Sequence, residues 1–228
     1  LSGCAQKSTD TTSTKQAKEA QATPTSTPFQ YYASVDDEPR TISGKCGDNA
    51  EWSYNTGTKV LTISGSGAVD RAVDSDTSKQ KIEGLAEPYE VKERITCSVK
   101  EIKIEEGITA LAVSNLFGNV SKDEDAEEIK LSLPDSLERI NANTFAPTTD
   151  AAYIRTIHLP RNVRYIEGGA FWGLGATDTS DTFNENLTIT VDSKNPYYMT
   201  ENNVLFTKDK KTLVYYPVEK TEQSYRIP

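Results

Sequence analysis

A single histidine, three cysteines and 34 carboxylates set the chemistry open to this 228-residue chain. His158 is the only imidazole. A nucleophilic triad needs a base that a carboxylate orients and that sits beside a hydroxyl or thiol. His158 stands between Ile157 and Leu159, and that alternation directs it to the solvent side of a strand, with neither triad partner suggested nearby. One His excludes multi-His metal sites, and Cys4, Cys46 and Cys97 fall one short of a four-cysteine zinc site. Asp70, Asp74 and Asp76 have a calcium-like spacing but lack the glycine and the distal glutamate of such a loop, so a solvated loop is expected. Gly65-Ser66-Gly67 lacks the third glycine of a dinucleotide fingerprint and reads as the exit of a strand. Paired carboxylates for glycoside hydrolysis are always available among so many acids and single out no position. The expectation is a protein that is not an enzyme, with no cofactor and no metal.

Charge and composition narrow the partners. Lys plus Arg total 25 against 34 Asp plus Glu, a net charge of −9, which disfavours a nucleic-acid backbone as ligand. No apolar run approaches the ~20 residues of a membrane span. Residues 5–34 contain no Leu, Ile, Val, Met or Trp, and eleven of those thirty are Ser or Thr. Such a stretch buries too little to offset its ordering entropy, so residues 1–40 are expected to be a disordered tether.

The elements that must position any site begin near Arg40. Trp52-Ser53-Tyr54 and Val60 to Ser64 alternate apolar and polar residues around a Gly-containing loop at 55–59, which is a hairpin signal. A β module is expected over 41–98, with Ile82, Leu85, Tyr89 and Val91 lining a helix face that Pro88 interrupts. Beyond it the sequence repeats. From Leu131, apolar residues recur at +2, +6, +9 and +14 (Leu133, Leu137, Ile140, Phe145), with Pro134 at +3. From Ile157 the same offsets give Leu159, Val163, Ile166 and Phe171, with Pro160 at +3. Ile102, Ile104, Ile108, Leu111 and Phe117 form a third copy with one extra residue before the Phe. A fourth starts at Ile189 and Val191 and then diverges, while Tyr225, Ile227 and Pro228 restart the pattern. Positions 0 and +2 point the same way on a short strand, and Pro at +3 stops it. The +6 and +9 positions suit a turn or 3₁₀-like segment on the far side of a coil, with the Phe inside the return leg. One unit cannot bury its own apolar face, but stacked units can.

The segments Leu131–Phe145 and Ile157–Phe171 resemble the BspA-type leucine-rich repeat of bacterial surface proteins, down to Ala170-Phe171 as the closing dipeptide. Residues 44–68 resemble the β module that often precedes these repeats, and residues 192–217 the hairpin insert found between them. The chain departs from the more familiar leucine-rich repeat in lacking its laddered Asn, and it inserts acidic loops such as Asp123–Glu128. The resemblance implies a β-rich fold with short helices or turns: an N-terminal β module at 41–98, then a right-handed solenoid at 99–228 with a hairpin insert near 203–217. It also implies export, surface display, and adhesion to a host or matrix protein or glycan, without catalytic residues. A stalk for a C-terminal domain is the alternative that the restart at Tyr225 raises.

Leu1-Ser2-Gly3-Cys4 resembles the lipobox of bacterial lipoproteins, which makes Cys4 the expected lipid attachment point and the cell envelope the expected address. With Cys4 lipidated, Cys46 and Cys97 remain as an even pair. A disulfide between them would close about fifty residues and contribute roughly 4 kcal/mol; two separate buried thiols are the other reading. If positions 0 and +2 point inward, +1 points out. Lys103, Ser132, His158 and Thr190 are then expected to form a polar ladder, flanked by Glu101, Lys130, Thr156 and Thr188. That ladder is either a binding face or simply the solvated side of a sheet.

Overall fold

Alternation decides the first strands. In Ala50–Asn55 the side chains of Ala50, Trp52 and Tyr54 are buried and Glu51 is exposed, and in Val60–Gly65 Leu61 and Ile63 are buried. The computed structural model describes residues 39–73, 81–82, 97–118, 120–146, 153–172, 174–175 and 187–217. The tether with Cys4, Asp74 and Asp76, residues 83–96 and the restart at Tyr225 lie outside these.

Among the described residues every regular element is a strand: β1 Thr41–Lys45, β2 Ala50–Asn55, β3 Val60–Gly65, β4 Gly67–Val69, β5 Lys81–Ile82, β6 Cys97–Val99, β7 Glu101–Ile104, β8 Ile108–Leu111, β9 Val120–Lys122, β10 Lys130–Ser132, β11 Arg139–Ile140, β12 Thr156–Leu159, β13 Tyr165–Ile166, β14 Thr188–Val191, β15 Tyr198–Glu201, β16 Val204–Thr207 and β17 Leu213–Tyr215. The described residues are thus strand-rich with almost no helix, and Leu85, Pro88, Tyr89 and Val91 of the expected helix face lie outside them. Ile82 lies in β5, paired antiparallel to β1. The far side of each unit is a second short strand rather than a 3₁₀ turn, because position +9 (Leu111, Ile140, Ile166) joins an in-register parallel ladder.

Two ladders face each other across the core. The first is a six-stranded sheet in the order β10-β7-β3-β2-β1-β5, with β12 beside β10 and β14 parallel to β12. The second, of return strands, runs β13-β11-β8-β4. A third, small ladder pairs β6 with β9. Leu61, Ile102 and Leu131 share one register position in the first sheet, and Val69, Leu111, Ile140 and Ile166 share one in the second. Strands β3 and β4 thus form an abbreviated unit ahead of the first full one, and the β module and the repeats share a continuous sheet. Only Gly65-Ser66 turns the chain between those strands. Gly65 has φ +103° and a Cβ there would overlap the Asn49 carbonyl oxygen, so the sharp corner requires glycine.

The Phe of the return leg does what its type suggests. Phe117, Phe145 and Phe171 are buried in a column, with ring centroids 6.0 Å and 6.4 Å apart, and Tyr215 closes it edge-on at 6.1 Å. Of the residues expected to be buried at 0 and +2, Ile102, Ile104, Ile157, Leu159 and Ile189 are buried, whereas Leu131, Leu133 and Val191 are half-buried.

The fourth unit does not diverge in space. Asn195 stands at +6 from Ile189, where its counterparts are Ile108, Leu137 and Val163, and it is 1% exposed. Its Nδ2 donates to the carbonyls of Pro160 (2.8 Å) and Val163 (3.0 Å), and its Oδ1 accepts from Tyr197 N (2.8 Å) and Tyr198 N (2.9 Å). Tyr198 stands at +9, and its hydroxyl accepts from the amide of Ile166, the +9 residue of the preceding unit. The insert is an antiparallel sheet of β15, β16 and β17, turned at Asn202-Asn203, both at positive φ. From that turn Asn203 reaches back to β14, accepting from Ile189 N (2.9 Å) and donating to Leu187 O (2.8 Å) as a further strand would.

Candidate functional site

The outward row of the long sheet is polar from end to end. Ser43, Ser53, Thr62, Lys103 and Ser132 are in register on β1, β2, β3, β7 and β10. His158 and Thr190 are in register on β12 and β14, with His158 Nδ1 2.9 Å from Thr190 Oγ1. The four ladder positions therefore come together as two bonded pairs of strands, with β12 lying next to β10. All four are exposed, whereas Ser43, Ser53 and Thr62 are half-buried. Lys103 pairs with the flanking Glu101 at 3.4 Å, and Lys130, Thr156 and Thr188 are exposed beside the row. Repeat spacing alone reaches only as far as Lys103. Alternation with Trp52, Tyr54, Leu61 and Ile63 was the signal that extends the row across the module.

The opposite sheet carries a hollow. At +7 and +8 of three successive units stand Thr109-Ala110, Glu138-Arg139 and Arg164-Tyr165, and these six line an open cavity of about 440 Å³. Arg139 donates to Glu167 (2.7 Å) and Asn141 (2.6 Å), Arg164 donates to Glu138 (2.6 Å), and the Arg139 guanidinium sits 4.3 Å from the Tyr165 ring centroid. Similar cross-unit bonds flank it. Glu106 accepts from the amides of Asp135 and Ser136, which hold its carboxyl below the ordinary range, and Arg161 pairs with Asp135 at 2.8 Å.

The expected Cys46–Cys97 bridge is corrected. Both are buried, free thiols. Cys46 follows β1, where Ala50 O accepts its amide, and Ala50 pairs with Gly65 at the end of β3. Cys97 lies four residues before β7 begins opposite Val60 at the start of β3, beside the Ser98 carbonyl that accepts from Tyr54 Oη. The two lie on different ladders, Cys46 just after β1 of the long sheet and Cys97 at the start of β6, which pairs with β9. Burial pushes both thiols up to about 12.

No family model matches the chain, and no curated protein matches it. Solved structures similar to it are bacterial leucine-rich repeat proteins. A leucine-rich repeat protein from Eubacterium ventriosum is 20% identical over 82% of this chain and 54% of that one, with a TM-score of 0.39. A leucine rich cell surface protein from Faecalibacterium prausnitzii is 16% identical over 76% and 61%, with a TM-score of 0.34. The pneumococcal vaccine antigen PcpA is 17% identical over 81% and 58%, with a TM-score of 0.33. The chain spans less than two thirds of each of these proteins' lengths.

Proposed function

We propose that this chain is a non-catalytic binding module of the bacterial surface. It is a right-handed leucine-rich-repeat solenoid, lipid-anchored at Cys4, that offers the outer face of its long sheet to a host or matrix protein or a glycan. The observation that carries this reading is the in-register polar row from Ser43 to Ser132, continued by His158 and Thr190. Its members are mostly Ser and Thr, whose hydroxyls both donate and accept, on backbones already fixed by strand pairing. Short side chains on a rigid ladder lose little entropy when a partner settles on them, so most of each new hydrogen bond is retained as affinity. The Leu1-Ser2-Gly3-Cys4 motif and the Ser/Thr-rich stretch behind it support an anchor and a tether.

The test is a screen of the 228-residue chain against immobilised matrix proteins and glycans, repeated with Lys103, Ser132, His158 and Thr190 all changed to Ala. Exposed positions should leave the melting temperature unchanged while binding is lost; full binding by the folded quadruple variant overturns the assignment. Changing Cys4 to Ser in the native host should release the protein into the medium or leave an unprocessed precursor, and unchanged membrane retention and processing removes the anchor from the proposal.

A further inference from the structure

We propose that the hollow on the return-strand sheet is a second, separate site, which binds a neutral glycan by stacking a pyranose ring on Tyr165 between the polar groups of Glu138, Arg139 and Arg164. It does not depend on the polar row, which lies on the other sheet.

The hollow is written into the repeat. In the second ladder Ala68, Ala110, Arg139 and Tyr165 share one outward register position, so two small residues are followed by two large ones. The alanines leave a floor, and Arg139 and Tyr165 rise beside it. The +7 residues Thr109, Glu138 and Arg164 supply the polar rim. Backbone bonds between units hold that rim in place: Glu138 N to Thr109 O at 2.8 Å, and Arg164 N to Glu138 O at 2.9 Å. A cavity of about 440 Å³ falls within the usual small-ligand range of ~300–1,000 Å³ and has room for a disaccharide.

The chemistry selects the ligand. Arg139 covers one face of the Tyr165 ring and holds it in place, and the residue is still 46% exposed, so the face that Arg139 leaves uncovered is open to water. A pyranose has an apolar C–H face and a rim of hydroxyls, each both donor and acceptor. The face suits the ring, and the rim suits guanidinium donors next to a carboxylate acceptor. Each arginine already faces a carboxylate, Arg139 with Glu167 and Arg164 with Glu138, so the hollow is close to neutral. A sulfated or uronate-rich chain would have to compete with those pairs, whereas neutral hydroxyls can add to them. Tyr197 holds the +8 offset of the fourth unit and is also 46% exposed, which offers an aromatic surface for a longer glycan.

The experiment is saturation-transfer NMR and calorimetry on the full chain. Cellobiose, lactose, mannobiose and N,N′-diacetylchitobiose are the neutral probes, a heparin disaccharide is the anionic one, and tetra-alanine is the peptide. At least one neutral disaccharide should receive saturation at its ring C–H protons. Tyr165→Ala should weaken its binding by more than about threefold, with about tenfold expected for a lost stacking platform. Tyr165→Trp and the quadruple Ala variant of the polar row should bind within about threefold of the unaltered protein. Melting curves check that Tyr165→Ala is folded. Absence of signal from every neutral probe overturns the proposal. So does binding that survives Tyr165→Ala, or binding by the heparin disaccharide or the peptide alone. Loss of this signal in the quadruple variant would place the sugar on the polar row instead.

Discussion

Replacing Asn195 with Val separates repeat logic from the geometry. By the repeat, position +6 is apolar (Ile108, Leu137, Val163), so Asn195→Val restores the pattern and should stabilise. The structure predicts the reverse. Asn195 is 1% exposed and holds four backbone groups. Pro160 O also accepts from Val163 N at 3.3 Å, and Tyr197 is exposed, so those two partners tolerate the change. The buried Val163 carbonyl and Tyr198 amide lose the bond Asn195 gives them, at about 1–3 kcal/mol each. Burying a Val side chain returns about 1.5 kcal/mol. The net loss is about 2 kcal/mol, or a fall of roughly 4–8 °C in Tm at this chain length. Urea and thermal unfolding of the two proteins side by side measure it. An Asn195→Val protein as stable as the original, or more so, refutes the reasoning and returns the position to the simple repeat.

Phe145→Ala should cost about 4 kcal/mol in urea unfolding, and Phe145→Leu about 1–2 kcal/mol, because Leu keeps most of the buried area but loses the ring contacts on both sides. A Leu variant equal to the original would show that the ring column adds nothing beyond area. Cys46 and Cys97 should resist maleimide at pH 8 in the native protein and both react once urea unfolds it. Their folded pKa values, about 12, lie above the ~8.5 of an unfolded cysteine, so their contribution to stability is complete below about pH 8.5 and is lost as pH rises toward 12. A constant Tm from pH 8 to 11 or rapid labelling of a native thiol would contradict their burial.

The repeat was legible because its apolar residues report one-sided burial. Ile102, Leu131 and Ile157 mark the strands, and Phe145 and Phe171 at +14, with Phe117 one residue later in its unit, line the interior. The fourth unit was not, since Asn195 and Tyr198 fill apolar positions with polar types whose hydrogen bonds a hydropathy pattern does not record. Nor was the pairing of β3 with β7, which joins residues some forty apart through backbone groups common to every residue. That Cys46 and Cys97 are separate thiols was hidden for the same reason: counting cysteines says nothing of which ladder each one joins. The hollow could have been found. Arg139, Tyr165 and Tyr197 all fall at +8, but a search for apolar offsets passes over a position that faces outward.

The direction of the bonds between units has a mechanical consequence. Lys130 N to Lys100 O, Asn141 N to Leu111 O and Thr188 N to Arg155 O each run from one unit to the next, along the stack. A pull applied at the two ends of the stack therefore loads the bonds of one strand in succession, and strands of two to four residues hold few of them. Units peel away singly, each freeing about 90 Å of chain for the 26 residues between Leu131 and Ile157. Under load the stack is expected to lengthen stepwise, one unit at a time, and single-molecule pulling measures it.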